Sequence, residues 1–123
     1  MIESYILFIL ISHFLADFVF QSDEMAKNKS KKLSYLLEHV LVYTMVFTMT
    51  SLIYFFNNLE IFKVWKFIAI TFIFHGLTDY ITSKITSYYY KKEKRHEFFV
   101  TIGADQVLHY LQLIITYNLI WQN

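Results

Sequence analysis

Four runs of apolar residues, at 2–21, 33–56, 62–84 and 98–121, take up most of this chain. Each is about 20 residues long, enough at 1.5 Å per residue to span the ~30 Å hydrocarbon core of a bilayer as an α-helix. The pattern predicts an all-α fold, a four-transmembrane-helix bundle forming a single integral membrane domain over residues 1–123. Polar residues interrupt these runs at a helical spacing. His13 and Asp17 in HFLAD, His75 and Asp79 in HGLTD, and Asp105 and His109 in DQVLH are each four apart, so each pair shares one helix face. Ionisable groups inside membrane-length segments are costly and mark functional sites.

The two halves of the chain repeat one arrangement. HFLADF, a basic loop and a helix containing His39 are followed by HGLTDY, a basic loop and a helix containing Asp105 and His109. This predicts two similar helical hairpins related by a parallel pseudo-twofold along the membrane normal. Nine of the eleven basic residues fall in the two loops, at Lys27, Lys29, Lys31 and Lys32 and at Lys84, Lys91, Lys92, Lys94 and Arg95. By the positive-inside rule both loops are cytoplasmic, with both termini and the 57–63 turn outside, as expected in a bacterial-type inner (plasma) membrane. Trp65 and Trp121 sit where helices should meet the outer interface, and Tyr88, Tyr89 and Tyr90 where an inner aromatic belt belongs. Ser22 followed by two acids suits the N-terminus of a short interfacial helix, and His96 falls among solvated loop charges.

Depth ties the polar residues together. His13 lies about 12 Å in from Gln21 and His75 about 13 Å in from Lys84. Asp17, Asp79, His39 and Asp105 fall one to two turns below the same boundary, with His109 one turn deeper. All four helices bring polar groups to the cytoplasmic half and none brings a histidine or aspartate to the outer half. The expectation is one shared site, with Gln21, Ser83 and Gln112 as neutral hydrogen-bond partners. Gly76 and Gly103 beside the motifs would let helices approach closely. His39 follows Glu38 near a helix start, and Tyr43 and Thr44 one turn further in suit the core.

A hydrophobic fraction of 56%, a mean hydropathy of +0.38, two glycines and no proline exclude an ordinary soluble domain. Residues 2–21 lack a basic n-region and a small-x-small cleavage site, so this segment is expected to stay as a helix and not be removed as a signal peptide. With no cysteine, a metal would be held by imidazole and carboxylate: His13, Asp17, His39, His75, Asp79, Asp105 and His109. These suit a divalent transition metal, zinc or manganese. Seven groups exceed one tetrahedral zinc, so either two metals share them or some carboxylates orient histidines from behind.

A metal near the cytoplasmic boundary would activate water for hydrolysis of a lipid head group or lipid-linked phosphate. Asp105 is the candidate general base, and Lys27 or Lys84 the group that steadies the phosphate. Partners expected are membrane lipids and an anionic lipid-linked substrate, without nucleic acid, and homo-oligomerisation is compatible with so small a bundle. The rival readings are a small ion or proton transporter or channel, built on Asp/His relays, and a non-catalytic membrane interaction protein. No HExxH, GxSxG, GxxxxGK[ST] or GxxxG motif occurs.

The polar elements H-x3-D-F-x2-Q at His13, Asp17, Phe18 and Gln21, the downstream Lys27 and His39, H-x3-D at His75 and Asp79, and D-Q-x2-H at Asp105, Gln106 and His109 span nearly the whole chain. In these the sequence resembles domain of unknown function 3307, a family of small bacterial and phage integral membrane proteins. Met25 stands where tryptophan is expected in that family. The resemblance implies a four-helix membrane protein and supplies no activity. At the level of His and Asp in transmembrane segments, the chain is also distantly similar to membrane-bound metal-dependent hydrolases.

Overall fold

The computed structural model describes residues 3–122, so the predicted helix start at Ile2 lies outside the described residues. The elements are α1 (Ser4–Phe14), continued by a π-helical turn (Leu15–Val19), then α2 (Asp23–Asn28), α3 (Leu33–Tyr54), a 3-10 turn (Phe56–Asn58), α4 (Ile61–Lys91) and α5 (Arg95–Trp121). No strand occurs among the described residues. α3, α4 and α5 are long and apolar enough to cross a membrane, and Ser4–Val19 forms a shorter apolar helix.

The last two helices run further than the apolar pattern predicts. Hydropathy marks where a membrane ends, not where a helix ends, and neither proline nor glycine interrupts residues 85–97. The expected loop shrinks to Lys92–Lys94, and α4 and α5 reach about 46 and 40 Å at 1.5 Å per residue. His96 joins the first turn of α5 and stays exposed. The reversal is a Schellman turn: Lys94 N–H donates to Tyr89 O and Glu93 N–H to Tyr90 O, both at 3.1 Å. Glu93 holds the left-handed position at φ 55°, where glycine is the usual residue.

Helices close into a ring in which α1 packs on α3 and α5, α4 packs on α3 and α5, and α2 lies against α3. Ser22 caps α2 as its sequence suggests, its Oγ accepting the Met25 N–H at 3.2 Å. Gly76 allows part of the approach, since a Cβ there would lie 3.6 Å from Val40 of α3. Gly103 does not; nothing lies within 4 Å of its missing side chain, which corrects the expectation that it draws helices together.

Inside the ring the two halves differ. At the end where α1 begins and α5 finishes, aromatic rings fill the core: Tyr5 stacks on Tyr117 at 4.4 Å, Phe8 on Tyr54 at 4.4 Å and Phe55 on Trp121 at 4.6 Å, with Phe47 and Phe67 fully buried between them. Trp65 remains exposed, whereas Trp121 joins this core. The opposite half is polar inside and apolar outside, with Leu37, Leu41, Ile73, Leu77 and Leu108 on the outer surface. That inversion is compatible with a bundle that faces lipid.

Glu93→Gly should stabilise the fold by up to about 1 kcal/mol, because glycine meets no steric penalty at that φ. Thermal unfolding in detergent checks it; a lower melting temperature would contradict the turn described.

Candidate metal centre

Each ring helix brings its polar face to one level. α1 supplies His13; the π turn that ends it carries Asp17, buried beside Ala16, where the wider turn re-aims the carboxylate. α3 supplies His39 and Tyr43, α4 supplies His75, Asp79 and Thr82, and α5 supplies Asp105, Gln106 and His109. His13, His39 and His75 are fully buried, Asp17, Asp79 and His109 nearly so, and Asp105 is 14% exposed.

Four atoms converge in the middle. His39 Nε2 lies 3.1 Å from Asp17 Oδ1, 3.0 Å from Asp79 Oδ2 and 3.1 Å from His75 Nε2, while His75 Nε2 lies 3.8 and 3.7 Å from the same two oxygens. A tetrahedron with bonds of about 2.0–2.1 Å has edges of about 3.3 Å, and these separations straddle that length. Asp17, His39, His75 and Asp79 form one group that could hold a metal ion; Asp17, Asp105 and His109 form a second. Asp17 Oδ1, one of the four donor atoms, accepts no hydrogen bond although His39 Nε2 lies 3.1 Å away, and His39 Nδ1 has no hydrogen-bond partner. An unsatisfied buried carboxylate oxygen is expensive, and a cation at the centre would satisfy it.

Around this core the hydrogen bonds have a fixed direction. Gln106 Nε2 lies 3.1 Å from Asp17 Oδ2 and 3.1 Å from Asp105 Oδ2, so the amide must donate to both carboxylates. Its Oε1 then accepts from His13 Nε2 at 2.8 Å, which leaves His13 Nδ1 to accept the Tyr43 hydroxyl at 2.7 Å. Both nitrogens of His13 are thus occupied, and this predicted ligand instead holds the amide that positions two carboxylates. Thr82 Oγ1 donates to Asp105 Oδ1 at 2.6 Å, and His109 Nε2 approaches Asp79 Oδ1 at 3.0 Å and Asp105 Oδ1 at 3.2 Å. The Tyr43 ring also stacks on His75 at 3.5 Å, locking its plane.

One cation enters from outside the ring. Lys29, the C-cap of α2, places Nζ 2.7 Å from Asp79 Oδ2. Burial alone would push its pKa down, but the Asp79 and Asp17 carboxylates outweigh burial and hold it above the ordinary lysine value.

The two lysines singled out for the substrate lie elsewhere. Lys84 is exposed on the outer face of α4, its Nζ 3.6 Å over the Tyr80 ring, so it does not join the cluster. Lys27 stands exposed on the rim of a cleft of about 620 Å³ whose floor includes Asp17, Asp105 and Gln106, whose rim also carries Lys31 and Lys91, and which the inward-turned Lys29 helps to line. Gln21 and Ser83 line this cleft, whereas Gln112 turns away to Thr116. Spacing alone points to Tyr43, one turn beyond His39, and Gln106 adjoins Asp105; nothing local distinguishes Lys29 from the other loop lysines.

Comparison with known proteins finds the family model described as Protein of unknown function (DUF3307), matched over residues 5–123. No curated protein and no solved structure matches.

Lys29→Met should destabilise the metal-free protein by about 3–5 kcal/mol, because it leaves Asp79 buried without its cation. Lys84→Met should leave stability near that of the unaltered protein. Parallel thermal unfolding in detergent checks the pair, and equal losses would contradict the placement of Lys29.

Proposed function

The chain belongs to the DUF3307 family, proteins of unknown function, and we propose that it is a four-span membrane protein whose buried His/Asp cluster binds a divalent metal and hydrolyses a lipid or lipid-linked phosphate. The observation that carries the metal reading is Asp17 Oδ1, a buried carboxylate oxygen that accepts no hydrogen bond and is one of four donor atoms lying within 4.8 Å of one another. Supporting the four-span reading, Ser4–Val19 closes the ring beside three helices of membrane-spanning length. α1 stands opposite α4 and α3 opposite α5, the order a pseudo-twofold between hairpins requires. Nine of the eleven basic residues, all but Lys63 and Lys66, gather at the end nearer the cluster, which by the positive-inside rule would be the cytoplasmic end.

A bound divalent ion would polarise a phosphoryl oxygen and bring the pKa of a bound water to about 7. The chain's own groups supply the rest. Asp105 is the acid residue at the cleft floor with access to water, and it is held in place by Thr82, Gln106 and His109; it serves as general base. Lys27, with Lys31 and Lys91 on the rim, attracts and steadies the phosphate. Phe18, Phe98 and Ile102 along the cleft give an acyl or prenyl chain an apolar wall. The core behind the cluster is mainly aromatic, with Phe47 and Phe67 fully buried, and its buried polar residues Ser51, Thr71 and Thr116 are uncharged hydroxyls; no histidine or carboxylate there continues a relay, which disfavours a through-path for ions or protons.

Purified protein loaded with manganese or zinc should release phosphate or head group from a panel of phospholipids and lipid-linked phosphates, and chelation should abolish it. Asp105→Asn should lower turnover by about 10²-fold or more while metal content persists. Ion flux through liposomes without turnover would overturn the hydrolase reading.

A further inference from the structure

The two donor groups meet at Asp17 and together leave apparent room for two ions. Resting on the metal reading above, we propose that the centre takes one divalent ion, ligated by His39, His75, Asp17 and Asp79. His109 and His13 act as positioning residues.

The decisive contact is between two histidines. His75 Nδ1 lies 3.2 Å from His109 Nδ1, buried from solvent. A neutral imidazole carries one N–H, and a ligating nitrogen must offer its lone pair. If His75 ligates through Nε2, its proton sits on Nδ1 and is donated to His109 Nδ1. His109 then carries its own proton on Nε2, directed at Asp79 Oδ1 and Asp105 Oδ1, and has no lone pair left for an ion. The converse holds if His109 ligates. Filling both groups would set two N–H groups against each other at 3.2 Å, or strip the shared proton and leave a buried imidazolate.

Three observations decide which group is filled. The first group has two imidazole nitrogens and two carboxylate oxygens, with nitrogen–nitrogen and nitrogen–oxygen separations of 3.0–3.8 Å, all on buried residues. The second has one imidazole, and its Asp105 is 14% exposed. Charge points the same way. With the imidazoles neutral, as ligation through His39 and His75 requires, Asp17, Asp79 and Asp105 against Lys29 leave the cluster two negative charges, which one divalent ion would neutralise and two would overfill.

His109 then acts through others. It accepts from His75, fixing the tautomer that offers Nε2 to the ion, and donates to Asp79 and Asp105, as outer hydrogen-bond partners of metal-ligating histidines do. His13 does the same through Gln106 for Asp17 and Asp105.

The test is manganese loading of the full chain in detergent, read by metal-to-protein ratio and by electron paramagnetic resonance. Unaltered protein should bind one equivalent and give the spectrum of an isolated ion without exchange coupling. His109→Gln should keep one equivalent at an affinity about 10–100-fold weaker. His39→Gln and His75→Gln should lose it, with circular dichroism confirming that each variant is folded. Two equivalents with an exchange-coupled spectrum, or loss of the ion from folded His109→Gln, would overturn the single-ion assignment and leave the metal reading standing. An unaltered protein that takes up no manganese or zinc overturns both.

Discussion

Three carboxylates, from Asp17, Asp79 and Asp105, share the interior of a ring of helices whose outer surface is apolar, and the rest of the structure answers that concentration of charge. Removed from water, such groups persist only with opposite charge and hydrogen bonds close by. Every helix contributes to meeting the demand: α1 through His13, α3 through His39 and Tyr43, α4 through His75 and Thr82, α5 through Gln106 and His109. The loop segment α2 folds back to deliver Lys29. One oxygen, Asp17 Oδ1, accepts no hydrogen bond although His39 Nε2 lies 3.1 Å away, and it belongs to the first donor group.

This demand also explains the division of the bundle. Imidazoles, amide and hydroxyl groups occupy the half near the cleft, where Asp105 retains some contact with water. Beyond His13 and Tyr43 the core turns over to stacked aromatic rings, which close the other half. A centre sealed on one side and open through a lysine-rimmed cleft on the other suits chemistry on a ligand arriving from one face.

Much of this was legible in the chain. Spacing put His13, Asp17, His75, Asp79, Asp105 and His109 on shared helix faces, and counting residues from the basic boundaries put them at one depth, where they do come into contact. Helix length was less legible, because apolar runs report the solvent around a helix and not its hydrogen bonding; α4 continues from Lys84 to Lys91 in polar sequence. Gly103 shows the limit of composition as a guide to packing, since its side of α5 faces nothing. Lys29 was hidden because a six-residue helix decides which of four neighbouring lysines turns inward. The role of His13 was hidden for a different reason: spacing gives a face, whereas the work of an imidazole depends on which partner meets each nitrogen.

The central claim is that a divalent ion sits among His39, His75, Asp17 and Asp79. X-ray absorption at the metal edge of zinc-loaded protein tests it most directly. The account predicts nitrogen and oxygen neighbours at about 2.0–2.2 Å with the outer-shell scattering of two imidazoles. A spectrum of an ion surrounded by oxygen alone, without imidazole scattering, would contradict it.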